Sequence, residues 1–230
     1  GQRVVGVDDE AAHSIGPGPS SHTDEYVSRT NEEWRAQHTS NHLSTIQNQA
    51  FRVKIQDTCQ MYGMSVTEYI TLLASRYSYA LTPAVVAAWQ RTQWAIDKCD
   101  PSGEEVKIHV FKKAELPPAL ESICIDVDNQ YPLNGYSNQY DLGSVTGVHP
   151  NVQAKLVSQA ATANAICSAV IQVEMGRGSN MCKVAFSCTG GTHRSLGCAC
   201  LLASLAYPSA IIMPTSDRTV HDAQRYLCPA

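Results

Sequence analysis

The sequence lacks any apolar run close to the roughly 20 residues that a membrane-spanning helix needs, since its most apolar stretch, Leu196 to Leu205, is short and rich in small residues. Charge is also scarce, because only 17% of the 230 residues are charged and the formal net charge is -4. A chain without a basic excess lacks the attraction that drives sequence-independent binding to nucleic acid. We therefore predict no membrane span, and the charge does not favour RNA as a partner.

A disulfide or metal-ligand pattern is missing as well. The nine cysteines are an odd number at irregular spacing, in a chain large enough to fold without cross-links. Cys198 and Cys200 stand two positions apart on a predicted helix, so their side chains point to different faces and suit no common metal ion. We expect mostly reduced cysteines, a reducing compartment such as the cytoplasm or an organelle matrix, no metal and no cofactor.

The amino-terminal part of the chain has the composition of an irregular arm. Residues 1–30 include Gly-Pro-Gly-Pro at Gly16 to Pro19 and show little apolar periodicity. The chain also begins with Gly1 rather than methionine, so we expect a processed product or a piece of a longer protein. An arm of this kind is one of the two places where we expect contact with protein partners.

Residues 31–104 predict a helical region, which is the second such place. Ser65 followed by Glu68 has the spacing of a capping box. Thr82 followed by Pro83 combines a capping residue with the residue favoured at the first helical position. Apolar residues follow both signals, and they form either core or a surface that faces a partner.

The remaining residues, 105–230, predict an α/β domain. A strand, a loop, a helix and a strand in that order form a βαβ unit, which makes the sheet at least partly parallel. Ligands of such sheets gather at the carboxyl ends of the strands. The predicted fold is a partly parallel central sheet flanked by helices and preceded by the helical region. Strands are predicted at Val106–Phe111, Ser122–Val127, Lys183–Phe186 and Ala210–Met213, and helices from Pro150 to Val173 and from Leu196 to Ala206.

The turn from Cys188 to Ser195 joins a predicted strand to a predicted helix and contains most of the candidate functional residues. Unpaired backbone N–H groups and the helix dipole favour an anion at such a position. Gly190 and Gly191 permit positive φ values, and Arg194 offers a bidentate fork to a phosphate. The turn is therefore a phosphate-binding loop, the interpretation we favour, or an ordinary tight connection. Hydroxyl donors are supplied by Thr189, Thr192 and Ser195.

The same turn matches the signature of cysteine-dependent phosphatases, in which a cysteine is followed by five residues and an arginine. Cys188 stands in the nucleophile's position and Arg194 in the position of the arginine that holds the phosphate. A cysteine at a helix N-terminus beside an arginine is suited to act as a thiolate nucleophile. In this reading Ser195 assists departure of the thiolate, and Asp126 and Asp141 are the candidate general acids.

A longer resemblance points to a second family. The segment Cys-Thr-Gly-Gly-Thr-His-Arg-Ser at 188–195 resembles the Cys-Thr-Gly-Gly-x-His-Arg-Ser loop of the C-terminal domain of the RapZ family of bacterial RNase adapters. Upstream, Ile125 to Asp128 is similar to the family's strand that ends Asp-Val-Arg, with Asp128 in the arginine's place. Thr146 to Val148 is similar to the family's Thr-Gly-Leu segment. The likeness covers about residues 105 to 225.

The resemblance implies a pocket for a phosphosugar or a nucleotide, because that domain senses glucosamine-6-phosphate and also contacts small RNA. Asp126 and Thr146 would face the sugar, and Arg218 would lie at the end of the last strand on the same rim. The family's kinase-like domain has no counterpart, since no glycine-rich Walker loop occurs in the sequence. The residues that would hold the phosphate are Thr189, Gly190, Gly191, Thr192, His193, Arg194 and Ser195.

Three functions follow from these patterns. The first is a non-enzymatic domain that binds a phosphorylated small molecule through the loop at 188–195. The second is a cysteine-dependent phosphatase that uses Cys188 and Arg194. The third is a structural subunit of a larger assembly that retains the fold, with the arm and the helical region as its contact surfaces.

Overall fold

The structure is a computed structural model, and it describes residues 51–52, 63–100, 103–128, 145–179 and 181–214. The chain divides into two units, residues 1–44 and 45–230, and every described residue belongs to the second. The predicted arm at 1–30 and two candidate residues, Asp141 and Arg218, therefore lie outside the described residues.

The helices and strands alternate in the order expected of an α/β protein. The strands are β1 (Phe51–Arg52), β2 (Lys107–Lys112), β3 (Cys124–Asp126), β4 (Lys183–Cys188) and β5 (Ile211–Met213). The helices are α1 (Val66–Arg76), α2 (Pro83–Ile96), α3 (Pro150–Val157), α4 (Ala160–Met175) and α5 (Arg194–Leu205), with short 3-10 helices at Lys113–Glu115 and Pro118–Ile123.

The strands form one sheet in the order β1-β5-β2-β4-β3. Strand β2 pairs in parallel with both β4 and β5, and β3 pairs in parallel with β4. The path from β4 through α5 to β5 returns the chain to the far side of β2, so the predicted parallel arrangement is confirmed. One detail differs from the sequence prediction, because Phe51 and Arg52 form an antiparallel edge strand with β5 instead of joining the helical region.

The predicted helix starts of the amino-terminal part are confirmed. The Ser65 hydroxyl accepts a hydrogen bond of 3.1 Å from the Glu68 amide, and the Glu68 carboxylate accepts one of 2.7 Å from the Ser65 amide. Thr82 caps α2 by accepting from the Val85 amide at 3.4 Å. These contacts satisfy N–H groups that have no partner within the helix.

Helix α2 packs into the same hydrophobic core as the α/β part. Trp89 is fully buried, and its indole Nε1 donates a hydrogen bond of 2.8 Å to the carbonyl oxygen of Val157, the last residue of α3. The Thr92 hydroxyl donates one of 2.9 Å to the Ala163 carbonyl in α4. The helical region is therefore joined to α3 and α4 by buried polar contacts as well as by apolar packing.

The prediction of one continuous helix from Pro150 to Val173 is wrong. The segment forms α3 and α4, two helices that meet at an angle of 96°. Gln159 has an extended backbone conformation between them, with φ -117° and ψ 129°. The Trp89 side chain binds a carbonyl that a continuous helix would have used internally, so packing against α2 compensates for the break.

Two further findings concern the helices and the cysteines of the described residues. Among the described residues no single helix is long and apolar enough to cross a membrane. The helices α3 and α4 have the length and composition of a membrane span only when they are taken together, and they are bent by 96° where they meet. None of the seven cysteines in the described ranges forms a disulfide.

Candidate phosphate-binding site

The loop that follows β4 lies at the carboxyl edge of the sheet, beside the end of β2. Lys112 is the register partner of Cys188, so the two strands end together. Gly191 has a positive φ of 67°, and a Cβ atom there would lie 2.6 Å from the Lys112 amide nitrogen. The loop therefore curls back over the end of β2 in a way that only glycine allows. Gly190, which could also adopt a positive φ, does not do so.

The segment around Thr146 packs directly on this loop. The Gly147 amide donates a hydrogen bond of 2.8 Å to the Thr192 carbonyl oxygen, and Thr146 is fully buried. A Cβ atom on Gly147 would overlap backbone atoms of His193 and Gly197. The structure thus brings together two segments that are more than forty positions apart in the sequence.

The loop also surrounds the Cys188 sulfur, which is buried. The Gly191 amide donates a hydrogen bond of 3.3 Å to this Sγ atom. The Ser195 hydroxyl lies 3.2 Å from the same atom and is buried as well. The sulfur therefore has two polar neighbours, both from the predicted loop.

Arg194, the first residue of α5, is almost entirely buried, with 4% of its surface exposed. Its Nη2 atom donates a hydrogen bond of 2.9 Å to the Oδ1 atom of Asp128, just after β3. Its Nη1 atom donates to the backbone carbonyl of Asp128. The guanidinium therefore directs donors from both of its Nη atoms at Asp128.

Thr189 binds the same carboxylate from the other side. Its amide and its hydroxyl donate hydrogen bonds of 2.6 Å each to Asp128 Oδ1, and the hydroxyl also lies 2.8 Å from Oδ2. Three donors from the loop, two on Thr189 and one on Arg194, thus converge on one carboxylate oxygen. In the sequence analysis, Asp128 was noted only because it stands where the RapZ family has an arginine. The sequence feature that could have indicated its contact with the loop is its negative charge, which is opposite to that of Arg194.

The environment of Asp128 favours its ionised form. Burial raises the pKa of this carboxyl, but the hydrogen bonds from Thr189 and the positive charges of Arg194 and Lys113 outweigh it. The net result is a pKa below the ordinary value for aspartate. The loop therefore holds Asp128 in its carboxylate form.

Asp126 is the last residue of β3 and lies two positions before Asp128. Its Oδ2 atom forms an ion pair of 2.5 Å with Lys113, and its side chain is 45% exposed. Its Oδ1 atom accepts a hydrogen bond of 3.0 Å from the Asp128 amide. Asp126 thus holds the backbone turn that directs Asp128 to the loop.

Thr192 and His193 are the remaining predicted residues that the structure describes, and both belong to the loop itself. The Thr192 hydroxyl is 3.1 Å from Nδ1 of His193, and both residues are partly buried. Within the part of the chain that the structure describes, no group of three or more His, Cys, Asp or Glu is arranged to hold a metal ion.

Comparison of the chain with protein-family models, with curated proteins and with solved structures gives no match.

Proposed function

We propose that this chain binds a phosphorylated small molecule through the loop of residues 189–195. The observation that supports it is the convergence of Thr189 N, Thr189 Oγ1 and Arg194 Nη2 on one anionic oxygen. A phosphate oxygen is an acceptor of the same charge and the same hydrogen-bonding kind as that carboxylate oxygen. The loop therefore has its donors directed at one point before any ligand arrives.

The position of the loop adds to this attraction. It precedes α5, a helix of 12 residues, whose first N–H groups have no partners within the helix and whose dipole is positive at this end. The carboxyl edge of a parallel sheet is also where ligands of α/β proteins gather. The resemblance to the RapZ C-terminal domain narrows the proposed ligand to a phosphosugar or a nucleotide, with Thr146 near its non-phosphate part.

The proposal is tested by thermal unfolding of the purified chain with inorganic phosphate, sugar phosphates and nucleotides. A ligand that binds the folded state raises the unfolding temperature by mass action. The variants Arg194→Lys and Arg194→Ala should lose the ligand-dependent rise. The matched control is Arg91→Ala, because Arg91 is exposed on α2 and should keep the rise. A ligand that protects all variants equally would bind elsewhere.

A second candidate, a cysteine-dependent phosphatase, is favoured by the surroundings of Cys188. In this reaction the sulfur attacks phosphorus, the bond from phosphorus to the leaving oxygen breaks, and water then hydrolyses the phosphocysteine. The Gly191 amide and the Ser195 hydroxyl are placed to donate to a thiolate. The variant Cys188→Ser should abolish phosphate release yet keep phosphate-dependent stabilisation if the chain is such an enzyme. An unchanged rate of release in this variant would exclude the mechanism.

A further inference from the structure

We infer that Asp128 is an internal competitor of the ligand: its carboxylate occupies the oxyanion position of the loop, and a bound phosphate takes that position by displacing it. The inference rests on the proposed function. Its basis is that Thr189 N, Thr189 Oγ1 and Arg194 Nη2, the donors directed at that point, are all engaged by Asp128 Oδ1.

The carboxylate and a phosphate exclude each other on these donors for two reasons. A phosphate oxygen that accepts from Thr189 N, Thr189 Oγ1 and Arg194 Nη2 in their present directions would overlap Asp128 Oδ1. Both groups are also anions, and like charges at such a distance repel strongly. With Asp128 in place, the charge of Arg194 is already neutralised, so the loop attracts an arriving anion only weakly.

The geometry allows the carboxylate to leave without unfolding its neighbours. Asp128 is on the solvent side of the pair, since 21% of its side chain is exposed against 5% for Arg194. Its backbone is held separately, because its amide donates to Asp126 Oδ1 and the Val127 amide donates to the Ser187 carbonyl at 2.9 Å. Rotation of the Asp128 side chain alone would therefore uncover the donors.

Arg194 would stay in position after this rotation. Its Nη1 atom binds the backbone carbonyl of Asp128, which does not move with the side chain. Its Nη2 atom could then donate to a phosphate oxygen in the position that Asp128 Oδ1 had occupied. Asp128 would thus be a specificity-determining residue. An anion with no further contacts does not offset the free energy of the hydrogen bonds that Asp128 loses, whereas a phosphorylated molecule with additional contacts to the protein does.

The experiment compares the binding of inorganic phosphate to the wild-type chain and to Asp128→Ala by calorimetry. We expect the variant to bind phosphate at least about 10-fold more tightly, and phosphate to restore part of the stability that the substitution removes. Asp128→Asn, which keeps the shape and removes the charge, is the second variant if the alanine protein does not fold. The control is Glu115→Ala, which removes a carboxylate that is 57% exposed and paired with Lys112. It should bind phosphate as the wild type does.

The possible results separate the inference from the function on which it rests. If the wild type, Asp128→Ala and Asp128→Asn bind phosphate equally, Asp128 is only a structural partner of Arg194 and the inference is overturned, while the proposed function stands. If none of the three binds phosphate, a sugar phosphate or a nucleotide, the proposed function fails and the inference fails with it. A gain in affinity shared by Glu115→Ala would indicate a change of net charge alone, and would also overturn the inference.

Discussion

The Gly147 amide donates a hydrogen bond of 2.8 Å to the Thr192 carbonyl oxygen, and this bond joins the segment before α3 to the loop before α5. The close approach depends on the absence of a side chain at Gly147, where a Cβ atom would overlap backbone atoms of His193 and Gly197. The two glycine-containing segments therefore fix each other's position at the carboxyl edge of the sheet.

Gly147→Ala should consequently destabilise the protein and displace the loop. Overpacking against backbone atoms costs about 1–3 kcal/mol in the free energy of unfolding, and urea unfolding measures it. Gly190→Ala is the matched comparison, because a Cβ atom there would meet only the Thr192 hydroxyl, at 3.6 Å. Equal stability losses in the two variants would show that the contact at Gly147 has no special importance.

The contacts of Asp128, first the hydrogen bonds from Thr189 and then the ion pair with Arg194, make the stability of the protein depend on acid pH. Because the folded pKa of Asp128 lies below its ordinary value, the unfolded chain binds the proton more readily. The contribution is present above the unfolded pKa of about 3.9, and it is lost as the pH falls through the folded value. Asp128→Asn should therefore lose less stability than the wild type on acidification below about pH 5. The measurement is the free energy of unfolding of both proteins as a function of pH. An equal loss of stability in the wild type and the variant across that range would contradict the prediction.

The hydrogen bond from Trp89 predicts an unequal effect of two tryptophan substitutions. Trp89→Phe removes a buried donor, leaves the Val157 carbonyl unpaired and opens a cavity, which should cost about 2–4 kcal/mol. Trp94→Phe is the control on the same helix, because Trp94 is 64% exposed and should change stability by about 0.5 kcal/mol or less. Chemical denaturation followed by circular dichroism measures both, and a larger loss at Trp94 would contradict the packing described.

Two thiols should resist alkylation in the folded protein. Burial raises the pKa of Cys200 to about 12 and, with the charge of Glu174, that of Cys99 to about 11. Since only the thiolate reacts, iodoacetamide at pH 8 should leave both unmodified until the chain is unfolded. The measurement is mass spectrometry of peptides after a short treatment with iodoacetamide, which quantifies the alkylation of each cysteine, with a denatured sample as the control. Rapid labelling of Cys200 in the folded chain would be inconsistent with its burial.

Several parts of this structure were predictable from local sequence signals. The caps at Ser65 and Thr82 and the glycine at 191 each follow from a conformational rule that acts within a few residues. The parallel sheet follows from the order of strands and helices.

The features that sequence reasoning missed depend on contacts between distant segments. The break after α3 is compensated by Trp89, which is 68 positions away from Val157. The strand at Phe51–Arg52 exists through its pairing with β5. Asp128 acquires its role only because β3 ends beside the loop, 61 positions away along the chain from Thr189. Periodicity and capping signals contain no information on such pairings.

The most direct test of the central claim is a nuclear magnetic resonance titration of the ¹⁵N-labelled chain with sugar phosphates and nucleotides. If the loop binds phosphate, the Thr189 amide and the Arg194 side-chain resonances should shift saturably with one phosphorylated compound and not with its unphosphorylated form. The resonance of the Val85 amide, which donates a hydrogen bond to Thr82 at the start of α2, is the control and should not shift. Loop resonances that do not move with any phosphorylated compound would contradict the account.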